Sequence, residues 1–267
     1  MLYTSPVRTI NEGSLPVLKE ERQQLIMGIL AKEGKLVAAE LGSRLRVSED
    51  TVRRDLREMD TGGRLHRVHG GALPSSPSLV SFGDRERLSA EEKRSLAQSA
   101  ITLIRSGQVI LMDGSTSTLQ VARLIPHNIT ATVVTNSPPV AVSLAAHPGI
   151  EVVMLGGKLF KDSLVNLGPS TIEELKYIRA DLCLLGVYSI HPEIGITLPN
   201  GEEAYVKRAM IANSSEIVAL VTSNKLGTSA PFVVAPASIL TYMVTTPDVS
   251  EEVLAPYRKL GITVIQH

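Results

Sequence analysis

Seven arginines fall within one short stretch: Arg44, Arg46, Arg53, Arg54, Arg57, Arg64 and Arg67. A guanidinium forks two hydrogen bonds to a guanine edge or grips a phosphate, so this cluster is the chain's candidate for nucleic-acid chemistry. The same stretch holds five acids, Glu49, Asp50, Asp55, Glu58 and Asp60, and the whole chain is formally neutral. Net charge therefore does not make the case, and the placement of the arginines has to.

A second set of residues suits a small anion. Asp113-Gly114-Ser115-Thr116-Ser117-Thr118 follows the apolar run Val109–Met112 and opens a helix. Such a loop presents backbone N–H groups and hydroxyls, and the helix dipole adds positive potential, a place that suits phosphate. Thr135-Asn136-Ser137 closes another apolar run, and ligands on open parallel sheets gather at strand C-terminal edges. Glu203 and Lys207 stand four apart on one helix face, where they either line a pocket or pair with each other. Lys225 follows a strand end, as a phosphate contact or as a solvated lysine. Gly156-Gly157 and Gly168 read as turns.

No metal or cofactor is expected. The six histidines, His66, His69, His127, His147, His191 and His267, form no ligand pair with acids or thiols at zinc spacing. The single cysteine, Cys183, excludes an internal disulfide, and its neighbours Leu182, Leu184 and Leu185 read as a buried strand with an inert thiol.

The elements that must position these groups follow from periodicity. Residues 1–19 read as a flexible N-terminal arm. A helix begins near Glu20, with Leu25, Ile26, Ile29 and Leu30 on one face, and stops at Gly34. A second helix spans about residues 38–45 and a third about 49–59, with Ser48 as its N-cap. On the third, Val52, Leu56 and Met59 share a buried stripe, which turns Arg53, Arg54 and Arg57 outward. A short helix with outward arginines, preceded by a helix and a tight turn, fits a major groove. Arg64 to Gly71, basic with interspersed apolar residues, reads as a β-hairpin wing along the phosphate backbone.

This division gives a winged helix-turn-helix at residues 20–73, a linker at 74–81 and a larger α/β domain at 82–267. The composition, 43% hydrophobic but 3% aromatic and without tryptophan, calls for an aliphatic core. Apolar runs alternating with helical spacing from Phe82 onward predict a parallel sheet covered on both faces. No run reaches membrane-span length and no apolar signal core stands at the N-terminus, so a cytoplasmic protein is expected.

Three ordered blocks carry a resemblance: Glu21-Arg22, then Val47-Ser48-Glu49-Asp50-Thr51-Val52-Arg53-Arg54-Asp55-Leu56, then Arg67-Val68-His69-Gly70-Gly71-Ala72. Together they resemble the N-terminal signature of the DeoR family of bacterial repressors. The resemblance implies that Ser48, Thr51, Arg53 and Arg54 touch DNA, and that Arg67 and His69 lie in the wing. It continues through Phe82 with Arg85, Lys93, Asp113–Thr116, Thr135–Ser137, Gly156-Gly157, Gly168, Asp181, Gly186, Gly195–Thr197, Glu203, Lys207 and Lys225. These follow the order of the DeoR-type sensor domain, which is similar in fold to ribose-5-phosphate isomerase and related coenzyme A transferases. What the resemblance implies is a repressor of a sugar or carbon metabolism operon, released by a phosphorylated sugar-like effector and assembled as a homodimer or homotetramer.

The chain departs from the family's pattern at several positions. Ser115 stands where a second glycine is usual, and the usually acidic positions are Tyr188, Thr222 and Thr246. The identity of the effector is therefore left open. Two alternatives stand beside the regulator with a sensor. In one, the large domain only oligomerises and binds no ligand. In the other, it is an isomerase-like enzyme, which needs a carboxylate base and a group to stabilise an enediolate. Asp113 and Glu203 are the surviving carboxylates for that role.

Overall fold

The computed structural model describes residues 18–33, 35–74 and 81–266. Most of the expected arm and linker, and the expected helix stop at Gly34, lie outside these residues. The chain divides into two compact units, residues 1–74 and 75–267.

The first unit contains α1 (Lys19–Glu33), β1 (Leu36–Val37), α2 (Ala38–Leu45), α3 (Glu49–Thr61), β2 (Leu65–Val68) and β3 (Gly71–Pro74). Val52, Leu56 and Met59 are each at most 1% exposed, and they pack with Ile26, Leu30, Leu41, Leu45 and Leu65. The face of α1 is narrower than expected. Ile26 and Leu30 are buried, whereas Leu25 and Ile29 only flank the core, and one turn earlier the buried positions are Arg22 and Gln23. Arg22 fills that place as half of an ion pair. Its Nε donates to Asp55 Oδ2 and its Nη2 to Asp55 Oδ1 at 3.0 Å, strapping α1 to α3.

Ser48 starts α3 by accepting the Thr51 N–H at 3.2 Å, the side-chain cap that satisfies one of the helix's unpaired donors. The turn before it is made by Arg46, which adopts a left-handed conformation (φ 54°) at the end of α2. β2 and β3 form a hairpin through His69-Gly70, with Gly70 at φ 83°. β1 pairs antiparallel with β3. That pairing has no sequence signal, since two residues show no alternation, but it depends on Gly71. A Cβ there would lie 1.8 Å from the carbonyl oxygen of Leu36.

The second unit runs α4 (Phe82–Arg87), α5 (Ala90–Ala100), β4 (Val109–Met112), α6 (Thr116–Leu124), β5 (Ala131–Thr135), α7 (Pro138–Leu144) and β6 (Ile150–Met154). It continues through β7 (Lys158–Phe160), β8 (Val165–Leu167), α8 (Pro169–Leu175), β9 (Ala180–Gly186), β10 (Ser189–His191), β11 (Gly195–Leu198) and α9 (Gly201–Ala212). β12 (Ser214–Leu220), β13 (Phe232–Ala235), β14 (Tyr242–Thr245), α10 (Glu251–Lys259) and β15 (Thr263–Gln266) complete it.

Seven strands form one sheet in the order β15-β14-β12-β9-β4-β5-β6, every pairing parallel. Side chains alternate between its faces, as a strand's period of two requires. Leu182 and Leu184 of β9 join the core under α5, α6 and α7, while Cys183 and Leu185 join the core under α8, α9 and α10. Burial pushes the Cys183 thiol up to about 12, so it serves as an unreactive core side chain. Two antiparallel pieces add to the expected parallel sheet: the hairpin β7-β8 and the sheet β10-β11-β13.

Strand order places the site. From β4 the chain moves outward through β5 and β6, whereas β9, β12, β14 and β15 fill the other side. The order reverses between β4 and β9, and the loops leaving those strands turn to opposite faces. Open α/β sheets bind ligands in the crevice that this reversal leaves.

Candidate nucleic-acid interface and sheet-edge cavity

On α3 the inward stripe leaves Arg53, Arg54 and Arg57 exposed. Arg53 Nη2 lies 2.6 Å from Glu49 Oε1, one helical turn back. Among the described residues, Arg54 and Arg57 have no ion-pair partner. Ser48 and Thr51 stand at the helix start with their hydroxyls 2.9 Å apart. Arg67 and His69 are exposed on the hairpin, and the Arg67 N–H donates to Asp60 Oδ1 at 3.2 Å.

The acids counted against the arginines are mostly engaged elsewhere. Asp55 is buried against Arg22, Glu58 pairs with Lys19 at 2.6 Å, and Asp60 braces the hairpin. Arg44 and Arg64 are also scaffold contacts, bonding Glu33 at 3.0 Å and Gln23 at 2.7 Å. What remains outward is a strip of guanidinium groups on α3 and the hairpin, a surface able to contact phosphates and base edges.

A cavity of about 540 Å³ lies at the carboxyl ends of β4 and β9. Gly114, Ser115, Thr116 and Ser117 form one wall at the start of α6, where Ser115 Oγ caps the helix by accepting the Thr118 N–H at 3.0 Å. Gly186 lets this loop close on β9, because a Cβ there would lie 1.8 Å from Ser115 Oγ. Lys207, Glu203 and Lys225 also line the cavity.

The structure pairs these residues differently from the spacing. Lys207 donates to Asp113 Oδ2 and to the Gly186 carbonyl at 2.9 Å, while Glu203 accepts from Ser163 Oγ at 3.1 Å. Glu203 and Lys207 are therefore not each other's hydrogen-bond partners. Burial works against the Lys207 charge, but the carboxylates of Asp113 and then Glu203 outweigh it and hold Lys207 above its ordinary value.

Four of the expected effector contacts do not reach the cavity wall. Asp113 is 2% exposed, its oxygens taken up by Lys207, the Ser115 and Gly186 N–H groups and the Thr118 hydroxyl. Thr135, Asn136 and Ser137 are at most 3% exposed. Asn136 donates to the Asn166 carbonyl at 2.9 Å, and a Cβ on Gly114 would meet Ser137 at 3.1 Å. This second loop backs the first instead of lining the pocket beside it, because β8 is folded over the end of β5.

Two lining cations escaped the expected contact set. Lys93 Nζ donates to the carbonyls of Arg85 and Leu88, and Arg85 Nη2 donates to the Asp162 carbonyl at 3.1 Å. One signal for Lys93 was available in the sequence. It shares the buried face of α5 with Leu96, Ala97 and Ala100, where a lysine is out of place unless it reaches a polar site. Lys225 Nζ sits 4.9 Å from the centroid of the Tyr188 ring. Burial, then the charges of Lys93 and Arg85, pull Lys225 down to about 8, and burial followed by Arg85 lowers Lys93. Tyr188 and Thr222, at two usually acidic positions, line the cavity, and Thr222 Oγ1 donates to Asn224 Oδ1 at 2.8 Å.

Among the described residues no cluster of His, Cys, Asp and Glu could hold a metal ion, and no helix is long and apolar enough to cross a membrane.

Residues 22–77 match the DeoR-like helix-turn-helix domain and residues 88–246 the DeoR C terminal sensor domain. The HTH-type transcriptional regulator GlpR of Haloferax volcanii is 30% identical over 251 residues, covering 93% of this chain and 98% of that protein. The HTH-type transcriptional repressor GlcR of Bacillus subtilis is 33% identical over 229 residues, 85% of this chain and 88% of that one. The glycerol-3-phosphate regulon repressor of Escherichia coli is 29% identical over 79% of this chain and 84% of its own. Among solved structures, ribose 5-phosphate isomerase A from Methanocaldococcus jannaschii is 16% identical with a TM-score of 0.38, covering 51% of this chain and 54% of that one.

Proposed function

The chain belongs to the DeoR family of DNA-binding transcriptional regulators, and on that premise we propose that residues 20–73 read operator DNA and residues 82–267 sense a small phosphorylated metabolite. In this reading α3 lies in a major groove, with Arg53, Arg54 and Arg57 toward the duplex and Ser48 and Thr51 at its entry. Arg67 and His69 of the hairpin follow the phosphate backbone. The sensor units associate as a homodimer or homotetramer, which sets the spacing between two reading helices.

The effector's phosphate is held at Ser115, Thr116 and Ser117, where a helix start meets a buried lysine. That juxtaposition carries the effector reading. Unpaired N–H groups in the first turn of α6, the dipole of that helix and the nearby Lys207 all favour negative charge. A repressor of the glycerol-3-phosphate regulon among the relatives agrees with a small phosphorylated compound. Effector binding favours a state with a different reading-helix spacing, and operator affinity falls by the effector's differential binding and no more.

The isomerase-like alternative has little to stand on. The curated relatives are regulators, and Asp113, one of its two carboxylates, is committed to Lys207 beneath the cavity wall. The ligandless alternative is tested directly. Operator-bound protein is titrated with a panel of phosphorylated and unphosphorylated sugars while fluorescence anisotropy follows release and thermal shift follows binding. Release and a raised melting temperature with phosphorylated members alone are expected. Silence in both readouts across the panel would favour the oligomerisation module.

A further inference from the structure

Two sides of α9 are used within the domain, and a third faces outward. Ala204, Val206, Met210 and Ile211 are buried in the core, while Glu203 and Lys207 line the cavity. Glu202 and Tyr205 are exposed and Arg208 is half-buried. These three stand three residues apart, so they form one ridge along the helix.

The ridge continues into an apolar patch. The Arg208 guanidinium lies 5.0 Å from the centroid of the Tyr205 ring, and its Nη2 donates to the Val233 carbonyl of β13. A Cβ on Gly201, one turn before Tyr205, would meet the Phe232 ring at 3.1 Å. Tyr205 is 60% exposed, and Phe232 and Val233 are exposed as well. Single apolar side chains on a surface are ordinary, but a contiguous set of Tyr, Phe, Val and Arg has the make-up of an interface centre. The chain has only three Phe and six Tyr, so an outward Phe and Tyr on one patch do not follow from an aromatic-rich composition.

The charges of the ridge indicate what covers it. Glu202 and Arg208 stand at equal spacing before and after Tyr205, and among the described residues the Glu202 carboxylate holds no hydrogen bond or ion pair. A guanidinium has five N–H donors, so the bond to Val233 leaves Arg208 others to give. A two-fold axis at Tyr205 sets two copies of the ridge antiparallel and makes each contact twice. Glu202 of each copy then comes opposite Arg208 of the other, with the tyrosine rings meeting between two ion pairs. A parallel arrangement would set like charges against each other.

We propose that this face, Glu202, Tyr205 and Arg208 of α9 with Phe232 and Val233 of β13, docks a second copy of the chain about a two-fold axis at Tyr205. The inference rests on the association of sensor units in the reading above and names its surface. α9 thereby joins the effector cavity on one side to the contact between copies on another.

Sedimentation of the full chain over a range of concentrations tests this by charge reversal. Glu202→Arg, Arg208→Glu and Tyr205→Ala should each weaken association about tenfold or more, with a native-like circular dichroism spectrum as the check on folding. An equimolar mixture of Glu202→Arg and Arg208→Glu chains should associate again, because opposite charges then meet at both ends of the ridge. A tetramer that falls to a dimer in the single variants supports the proposal equally, this face being one of its two contacts. Unchanged association in Tyr205→Ala and Glu202→Arg overturns it and leaves the sensor units associating through another surface. So does a mixture no tighter than its components, since the ridge then does not face its own copy. If the unaltered chain is monomeric at every concentration, the association reading falls and takes this proposal with it.

Discussion

Lys207, on the cavity wall, and Asp113, behind it and 94 residues away in sequence, form a buried ion pair. Asp113 leaves the end of β4 and Lys207 comes from α9 on the opposite face of the sheet, so the pair ties the loop that starts α6 to the far side of the domain. The Gly186 N–H donates to Asp113 and the Gly186 carbonyl accepts from Lys207, which adds β9 to the same knot.

Breaking that pair from one side is expected to be costly. Asp113→Ala leaves an ammonium buried without its counter-charge, a loss of about 3–5 kcal/mol. Replacing both partners by apolar residues, Asp113→Leu with Lys207→Met, should recover much of it, because no uncompensated charge then remains. Urea denaturation of the full chain distinguishes the cases. A double variant no more stable than Asp113→Ala would show that the pair acts through the Ser115 and Gly186 hydrogen bonds instead of its charges.

Gly186→Ala should disable the proposed phosphate site at Ser115–Ser117 while sparing the sheet. The added methyl would lie within 2.0 Å of both Ser115 side-chain heavy atoms, so Ser115 must leave the Thr118 N–H it caps. Overpacking of this kind costs about 1–3 kcal/mol. Thermal shift is expected to show a modestly lower melting temperature and the loss of any stabilisation by phosphorylated probes. Full ligand stabilisation in this variant would remove the α6 start from the site.

Binding of a phosphorylated ligand should weaken as pH rises through about 8. Lys225 titrates there, held down by burial and by Lys93 and Arg85, with Tyr188 against its amine. An anion favours the ammonium form, so binding raises the Lys225 pKa and takes up protons near and above pH 8. Phosphate monoesters, with a second pKa of about 6, are already dianions throughout that window, so the ligand's own charge does not change. Titration from about pH 7 to about pH 9 in buffers of different ionisation enthalpy reads this uptake. Lys225→Arg should flatten the profile, since guanidinium stays charged.

On the DNA side, Arg54→Ala is expected to weaken operator binding by about 1–3 kcal/mol at physiological salt without lowering the melting temperature. Arg22→Ala offers the contrast. Arg22 is buried against Asp55, so its loss acts on the stability of the first unit. Wild-type affinity in Arg54→Ala, measured by anisotropy, would remove it from the groove-facing set.

Much of this protein is written locally. The stripe Val52, Leu56 and Met59, the cap at Ser48, the turn at His69-Gly70 and the apolar strands alternating with helices are all short-range patterns. Helical and strand periods bring such residues to one face without reference to the rest of the chain. The family blocks lie in the same stretches. The sequence by itself therefore determined the helix-turn-helix, its outward arginines, the parallel sheet and the loop at Ser115.

Partnership was decided only by the tertiary structure. Local spacing offered Lys207 to Glu203, whereas β9 and α9 deliver it to Asp113; it counted Asp55 among the acids set against the arginines, whereas α1 brings Arg22 to cover it. It set Thr135–Ser137 beside Ser115, but β8 seals that loop behind the wall, and α5 carries Lys93 in its place. Strand order explains the difference. Which edges become neighbours depends on long-range pairing of β4, β9 and β12, and nothing within a residue's own element encodes what is packed across from it.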